Sequence, residues 1–297
     1  MTRTATPEAD TPPEPHFVLT LSCQDRHGIV HAVTGYLLEQ DCTITQSQQY
    51  GDPDTGLFFL RMAFGCEDAD RDVTALRAAF APVATALDMT WRLVDGRDRP
   101  RVLIMVSRYG HCLNDLLFRQ SIGALQMDVP AIVSNHVDFA GLAGTAGIPF
   151  HHVPVTAATK PAAEAAVLDL VAEYRIDLVV LARYMQVLSD DFCRRLPGRI
   201  INIHHSLLPS FKGANPYRQA FAHGVKLVGA TAHYVTAELD EGPIIEQDVA
   251  RVDHAYDTAQ LATAGRDVEC QVLARAVRWH TESRILLNGR RTVVFRG

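Results

Sequence analysis

Asp177-Leu178-Val179-Val180-Leu181-Ala182 carries an unbroken apolar run after one acidic residue. A strand with one wet face alternates polar and apolar side chains. An unbroken run means burial on both faces, as in a parallel sheet covered by helices. The flanking sequence agrees. Pro161 opens a helix that places Ala163, Ala166, Val167, Leu170, Val171 and Tyr174 on one face, and proline suits a first turn. Upstream, Arg101–Ser107, Ala131–Asn135 and Ile148–Val153 read as strands, with a helix over His111–Gln120. Such alternation predicts a doubly wound, mostly parallel α/β sheet. Val228–Val235 and Ile244–Val252 follow one another without a helix between, so the sheet is expected to be mixed. A long helix over Thr258–Glu282 and a strand over Arg291–Phe295 close the chain.

Residues 16–95 have a different rhythm. His16–Ser22 is a compact apolar strand, and Ile29, Val30, Val33, Leu37 and Leu38 repeat at helical spacing. Strands over Cys42–Tyr50 and Leu57–Phe64 flank a Gly51–Gly56 hairpin connection. Val73, Leu76 and Phe80 mark a second helix, which Pro82 is expected to end or kink, and Met89, Trp91 and Leu93 alternate in a last strand. The order βαββαβ predicts a ferredoxin-like plait. The expected organisation is a disordered polar tail (1–15), this domain (16–95), a charged linker (96–100) and the α/β domain (101–297).

The chain has 297 residues, 47% hydrophobic and 21% charged, with a net charge of −6, which fits a globular protein and disfavours nucleic acid as a partner. No segment approaches the ~18 apolar residues that span a membrane, and residues 1–15 lack a signal-peptide core. The six cysteines are scattered, so a cytoplasmic protein with reduced, mostly buried thiols is expected.

The chemistry concentrates in Asn202-Ile-His204-His205-Ser-Leu-Leu-Pro209 and in His233 to Gln247. Asn202 and His204 are two apart, so an extended chain turns both to one face, and His205 to the other. An amide donor beside an imidazole suits a reaction that builds an oxyanion on a carbonyl carbon. The downstream strand–acidic turn–strand offers the missing carboxylate. No histidine–acid pattern with metal-ligand spacing appears, so no metal is expected.

Asn202-x-His204-x-Ser206-Leu207-Leu208-Pro209, with His233 and Leu239-Asp240-x-Gly242-Pro243-Ile244-Ile245, resembles the formyltransferase family that uses 10-formyltetrahydrofolate. Asn215-Pro216-Tyr217-Arg218-Gln219-Ala220 and Gly265-Arg266-Asp267-Val268-Glu269 resemble one branch, the formyltetrahydrofolate deformylases. The resemblance implies hydrolysis of the formyl group to formate and tetrahydrofolate in one-carbon metabolism. It implies a catalytic trio of Asn202, His204 and Asp240, with His233 in support. The folate slot would lie between Leu181–Leu188, with Met185, Gln186 and Leu188, and a loop of Val235, Thr236, Ala237 and Glu238. Many transferase relatives carry Arg at the position of Gln186, and Arg183 is the nearest cation for a glutamate tail. No cofactor beyond the folate substrate is implied.

Asp25-Arg26-His27-Gly28-Ile29-Val30, between a strand and a helix, is similar to an ACT regulatory domain. That likeness implies a homo-oligomer paired through these sheets. It also implies an amino-acid effector, glycine or methionine, near Asp25, His27, Gly28 and Ile29. A plain oligomerisation module is the alternative. Two other functions remain open: formyl transfer to a small amine, and an amino-acid sensor without activity. Ser107-Arg108-Tyr109-Gly110-His111-Cys112 lacks the Gly-rich turn with which transferase relatives hold an acceptor phosphate. Water is therefore the expected nucleophile, with His204 and Asp240 able to supply the base.

Overall fold

The computed structural model describes residues 17–66, 68, 71–209 and 216–296, so the expected tail at 1–15 lies outside it. The chain divides into two compact units between Asp98 and Arg99.

The first unit runs β1 (Phe17–Gln24), α1 (Ile29–Glu39), β2 (Cys42–Asp52), β3 (Leu57–Cys66), α2 (Val73–Ala86) and β4 (Thr90–Asp95). The strands form one antiparallel sheet in the order β2-β3-β1-β4, the expected plait. Period-two alternation sends Phe17, Leu19, Leu21 and Cys23 of β1 into one core with Val33 and Leu37 of α1 and Leu76 and Phe80 of α2. Pro82 does not end α2, which continues to Ala86. Proline removes a single ladder hydrogen bond, and the buried stripe of Leu76, Phe80 and Ala84 holds the helix in place on either side of it. The expectation of six reduced thiols also fails. Cys42 and Cys66 lie directly opposite on β2 and β3, with Cα atoms 4.1 Å apart, and form a disulfide. The other four cysteines are free.

The second unit contains β5 (Arg101–Val106), α3 (His111–Ser121), β6 (Asp128–Ser134), α4 (Ala140–Thr145), β7 (Phe150–His152), α5 (Lys160–Glu173), β8 (Leu178–Leu181), α6 (Asp190–Arg195) and β9 (Ile200–His204). It continues through α7 (Pro216–His223), β10 (Leu227–Tyr234), β11 (Ile244–Arg251), α8 (Thr258–Thr281), β12 (Ile285–Asn288) and β13 (Arg291–Val294). Seven strands form one sheet in the order β11-β10-β9-β8-β5-β6-β7. The five from β7 to β9 are parallel, while β10 runs antiparallel to both its neighbours, β9 and β11, so the sheet is mixed as expected.

The unbroken apolar strands now have their cause. Leu178 and Val180 of β8, with Val102 and Ile104 of β5, join the core beneath α3 and α8. Val179 and Leu181, with Leu103 and Met105, join the core beneath α5 and α6. On α5, Ala163, Val167 and Val171 are buried, but Ala166, expected on the same face, is exposed. Asp257 and Gln260 form a reciprocal capping box that starts α8. Chain order reverses beside β5, which has β6 on one side and β8 on the other. The loops after β5, β8 and β9 therefore meet at the carboxyl ends of the strands, where open α/β sheets bind ligands.

Ile104 is fully buried at the centre of this sheet. Ile104→Ala is expected to cost the second unit about 2–5 kcal/mol. A urea titration showing no shift in midpoint would contradict the described core.

Candidate active site

Strand β9 supplies two of the expected residues. Asn202 and His204 share a face of the strand. The antiparallel register of β10 sets His233 opposite Asn202. The chain then leaves β10, turns, and returns as β11. At that turn Asp240 adopts a left-handed backbone conformation (φ 56°), which Asp tolerates better than most residues. The turn brings its carboxylate 3.3 Å from Nδ1 of His204 and 3.7 Å from Nε2 of His233. Asn202, His204, His233 and Asp240 thus form one cluster.

The hydrogen bonds fix which atoms are free. Nδ1 of His233 lies 2.9 Å from the Tyr234 carbonyl, which can only accept, so this nitrogen carries the proton. Burial lowers the His233 pKa despite that bond and Asp240, which keeps the ring neutral and makes Nε2 an acceptor. Asn202 Nδ2, 3.2 Å away, donates to it. Burial alone would raise the Asp240 pKa, but the His204 hydrogen bond and the neighbouring imidazoles outweigh it and hold the carboxyl below its ordinary value. His204 directs Nδ1 to this carboxylate. Its Nε2 is buried and has no hydrogen-bond partner among the described residues.

These groups face a cavity of about 740 Å³. The expected slot residues Met185, Gln186, Leu188, Val235, Thr236 and Ala237 line it. Glu238 does not. Its carboxylate turns to the surface, 3.6 Å from Arg290, and Leu239 faces the cavity instead. The loop carrying Met185 is tied to the end of β5. Ser107 Oγ accepts from the Met185 amide (3.0 Å) and donates to Asn135 (2.7 Å).

Arg183 corrects a further expectation. Its guanidinium is 7% exposed, lies 3.2 Å from the fully buried Glu269, and stacks on Tyr109, so it is not available to a glutamate tail at the surface. Glu269 also accepts from Tyr217 (2.5 Å) and meets His111 Nε2 at 2.6 Å. Burial pushes the Glu269 carboxyl up, but His111, Arg183 and Tyr217 outweigh burial and hold it below the ordinary range. Sequence reading gave these four residues no joint role. The available signal was Gly265 and Glu269 one helical turn apart: a Cβ at Gly265 would lie 2.1 Å from the Tyr217 hydroxyl. Spacing also did not reveal that His111, Cys112 and Glu269 bring three possible metal-ligand atoms within 4.8 Å of one another. The Arg183 cation on the same carboxylate opposes a metal ion there.

His205 was expected on the opposite side of the strand. The extended chain ends at His204, however, and His205 lines the same cavity. Asp25, His27, Gly28 and Ile29 lie in the first unit at the start of α1, where Gly28 is left-handed (φ 90°), Ile29 is buried, and Asp25 and His27 are exposed.

Gly242 begins the return from the Asp240 turn. A Cβ there would lie 1.7 Å from the Tyr234 carbonyl oxygen, the acceptor that orients His233. Gly242→Ala is expected to lower the melting temperature by several degrees and to shift the His233 imidazole resonances. A variant with unchanged stability and spectrum would contradict this packing.

Residues 100–277 match the family model described as formyl transferase. A formyltetrahydrofolate deformylase of Corynebacterium sp. (strain P-1) is 54% identical over 279 residues, covering 94% of this chain and 98% of the relative. The crystal structure of a formyltetrahydrofolate deformylase from Burkholderia mallei superposes with a TM-score of 0.91 at 55% identity, over 95% of this chain and 100% of that one. A glycinamide ribonucleotide transformylase from Symbiobacterium toebii gives a TM-score of 0.62 at 34% identity, over 67% of this chain and 95% of that one. With likeness to the deformylases along nearly its whole length, and to a transformylase over only about two thirds of it, the chain belongs to the formyltetrahydrofolate deformylase family.

Proposed function

We propose that the chain hydrolyses 10-formyltetrahydrofolate to formate and tetrahydrofolate. The observation that carries this reading is the buried, unpartnered Nε2 of His204 beside the Asn202 amide at the wall of a folate-sized cavity. Attack on the formyl carbon converts its carbonyl oxygen into an oxyanion. The free N–H of Asn202 and Nε2–H of His204 are the donors that would receive it, with Asp240 holding the ring in place. His233 fixes the amide of Asn202. The pteridine ring would enter between the Met185–Leu188 and Val235–Ala237 segments, whose apolar side chains and backbone suit a flat, polar-edged ring. No cofactor or metal has a part in this scheme.

Water, rather than an amine, is favoured by the wall beyond the reaction centre. Tyr109, His111, Arg183 and Tyr217 gather around Glu269 and fill it with groups already paired to one another. Holding an acceptor in attack geometry provides much of a transferase's rate, and a filled wall offers no place for one.

The finer readings belong to the same proposal. The plait of the first unit would pair copies of the chain. It would also bind glycine or methionine where the first-turn N–H groups of α1 emerge beside Gly28, a position without a side-chain cap. A cytoplasmic location suits a folate substrate, and no helix among the described residues is long and apolar enough to cross a membrane.

Formate is expected in step with tetrahydrofolate, and added glycinamide ribonucleotide is expected to change neither rate. Recovery of the formyl group on the amine would replace this reading with transfer. Asp240→Ala and His204→Ala are each expected to reduce kcat by about 10²–10³ while folding normally. A variant that keeps near-wild-type kcat would remove that residue from the mechanism. Because the Asp240 pKa is held below its ordinary value, its charge persists at pH 5 and above. An acid limb of kcat in that range should therefore survive unchanged in Asp240→Glu, and its movement with that substitution would contradict the assignment. Calorimetry with millimolar glycine and methionine tests the effector, and absence of heat from either favours a plain oligomerisation module.

A further inference from the structure

We propose that His205 is a catalytic residue, the base that receives the proton of the attacking water; this rests on the hydrolytic reading above. The argument begins with a conflict. As oxyanion donor, His204 must carry a proton on Nε2, and its Nδ1 is turned to Asp240. It cannot then also accept a proton from water in the same step. Asn202 contributes an N–H donor. His233 has both nitrogens committed, Nδ1 to the Tyr234 carbonyl and Nε2 to Asn202. Glu269 is held by His111, Tyr217 and Arg183. Asp240 also lines the cavity, but its carboxylate is engaged by His204 Nδ1 and is that ring's own counter-charge.

Among the described imidazoles and carboxylates of the cavity, His205 is the remaining acceptor. Its ring centroid lies 5.4 Å from that of His204 and 6.1 Å from that of Tyr217, in the wall of the same cavity. Among the described residues neither of its ring nitrogens has a hydrogen-bond partner. Burial and then the Arg183 cation lower its pKa to about 4, against the opposing charges of Glu269 and Asp240, so the ring is neutral at physiological pH. A base of that strength matches an ordinary carboxylate and, unlike one, adds no negative charge beside a forming oxyanion.

The step balances with the groups named. Water oxygen bonds to the formyl carbon, its proton passes to His205, and the carbonyl π-electrons become the oxyanion held by Asn202 and His204. Collapse re-forms the carbonyl and breaks the C–N10 bond. N10 takes a proton from His204, and formate leaves as the anion. His204 recovers a proton from the formic acid hydroxyl, and His205 releases its own to solvent.

The test compares water with a nucleophile that needs no base. In His205→Asn, formate release from 10-formyltetrahydrofolate is expected to fall about 10²–10⁴-fold with little change in KM. Hydroxylamine-dependent tetrahydrofolate release, with formohydroxamate as product, is expected within about threefold of wild type, since the oxyanion donors are intact. Imidazole in the buffer should partly restore formate release by His205→Ala. Hydrolysis within threefold of wild type in both variants would overturn the proposal. So would equal losses with water and hydroxylamine, which indicate damage to the oxyanion site. Absence of formate from the wild-type protein would instead reject the hydrolytic reading itself.

Discussion

The hydrogen bond between the Asp240 carboxylate and Nδ1 of His204, at 3.3 Å, determines which nitrogen of that ring faces the cavity. Everything else at the site serves or exploits that choice. The carboxylate arrives on a turn whose left-handed residue costs about 1–2 kcal/mol, a strain offset by the His204 imidazole that favours its charge. The register of β10 on β9 sets His233 against Asn202, so the amide is oriented by a neutral ring that is itself anchored to backbone. A one-residue slip in that register would turn His233 to the opposite face of the sheet and leave the amide free to flip.

A second constraint lies across the cavity. Burying Glu269 completely would be very costly without partners, and three groups from different elements converge on it. Arg183 reaches it from the loop after β8, His111 from the first turn of α3, and Tyr217 from α7. Removing any one partner leaves a buried charge short of compensation, so this cluster ties the loop after β8, α3 and α7 to α8 beside the cavity. The consequence is chemical as well as structural. A wall whose polar groups are spent on each other is poorly suited to orient a bulky amine, and a molecule as small as water needs none of that space.

Much of this was legible in the sequence, because period and spacing are local properties. The unbroken run at Leu178–Leu181 announced a strand buried on both faces, and the two-residue spacing of Asn202 and His204 announced a shared face. What could not be read depends on where the chain turns. His205 faces the cavity only because β9 stops one residue earlier, and Glu238 faces outward only because of the conformation of the Asp240 turn. Arg183 reads as a free cation until a glutamate from α8, far along the chain, is found beneath it. Gly265 had a reason invisible to pattern, the closeness of the Tyr217 ring. Cys42 and Cys66 likewise meet through strand register rather than through any recognisable motif.

The central claim is that oxygen from water ends on the formyl carbon within the cavity bounded by Asn202, His204 and Asp240. A single turnover in ¹⁸O-enriched water measures this directly. Mass spectrometry of the product should find formate carrying one heavy oxygen, released with tetrahydrofolate in equal amount. Formate without the label, or tetrahydrofolate formed with the formyl group on another acceptor, would contradict the account.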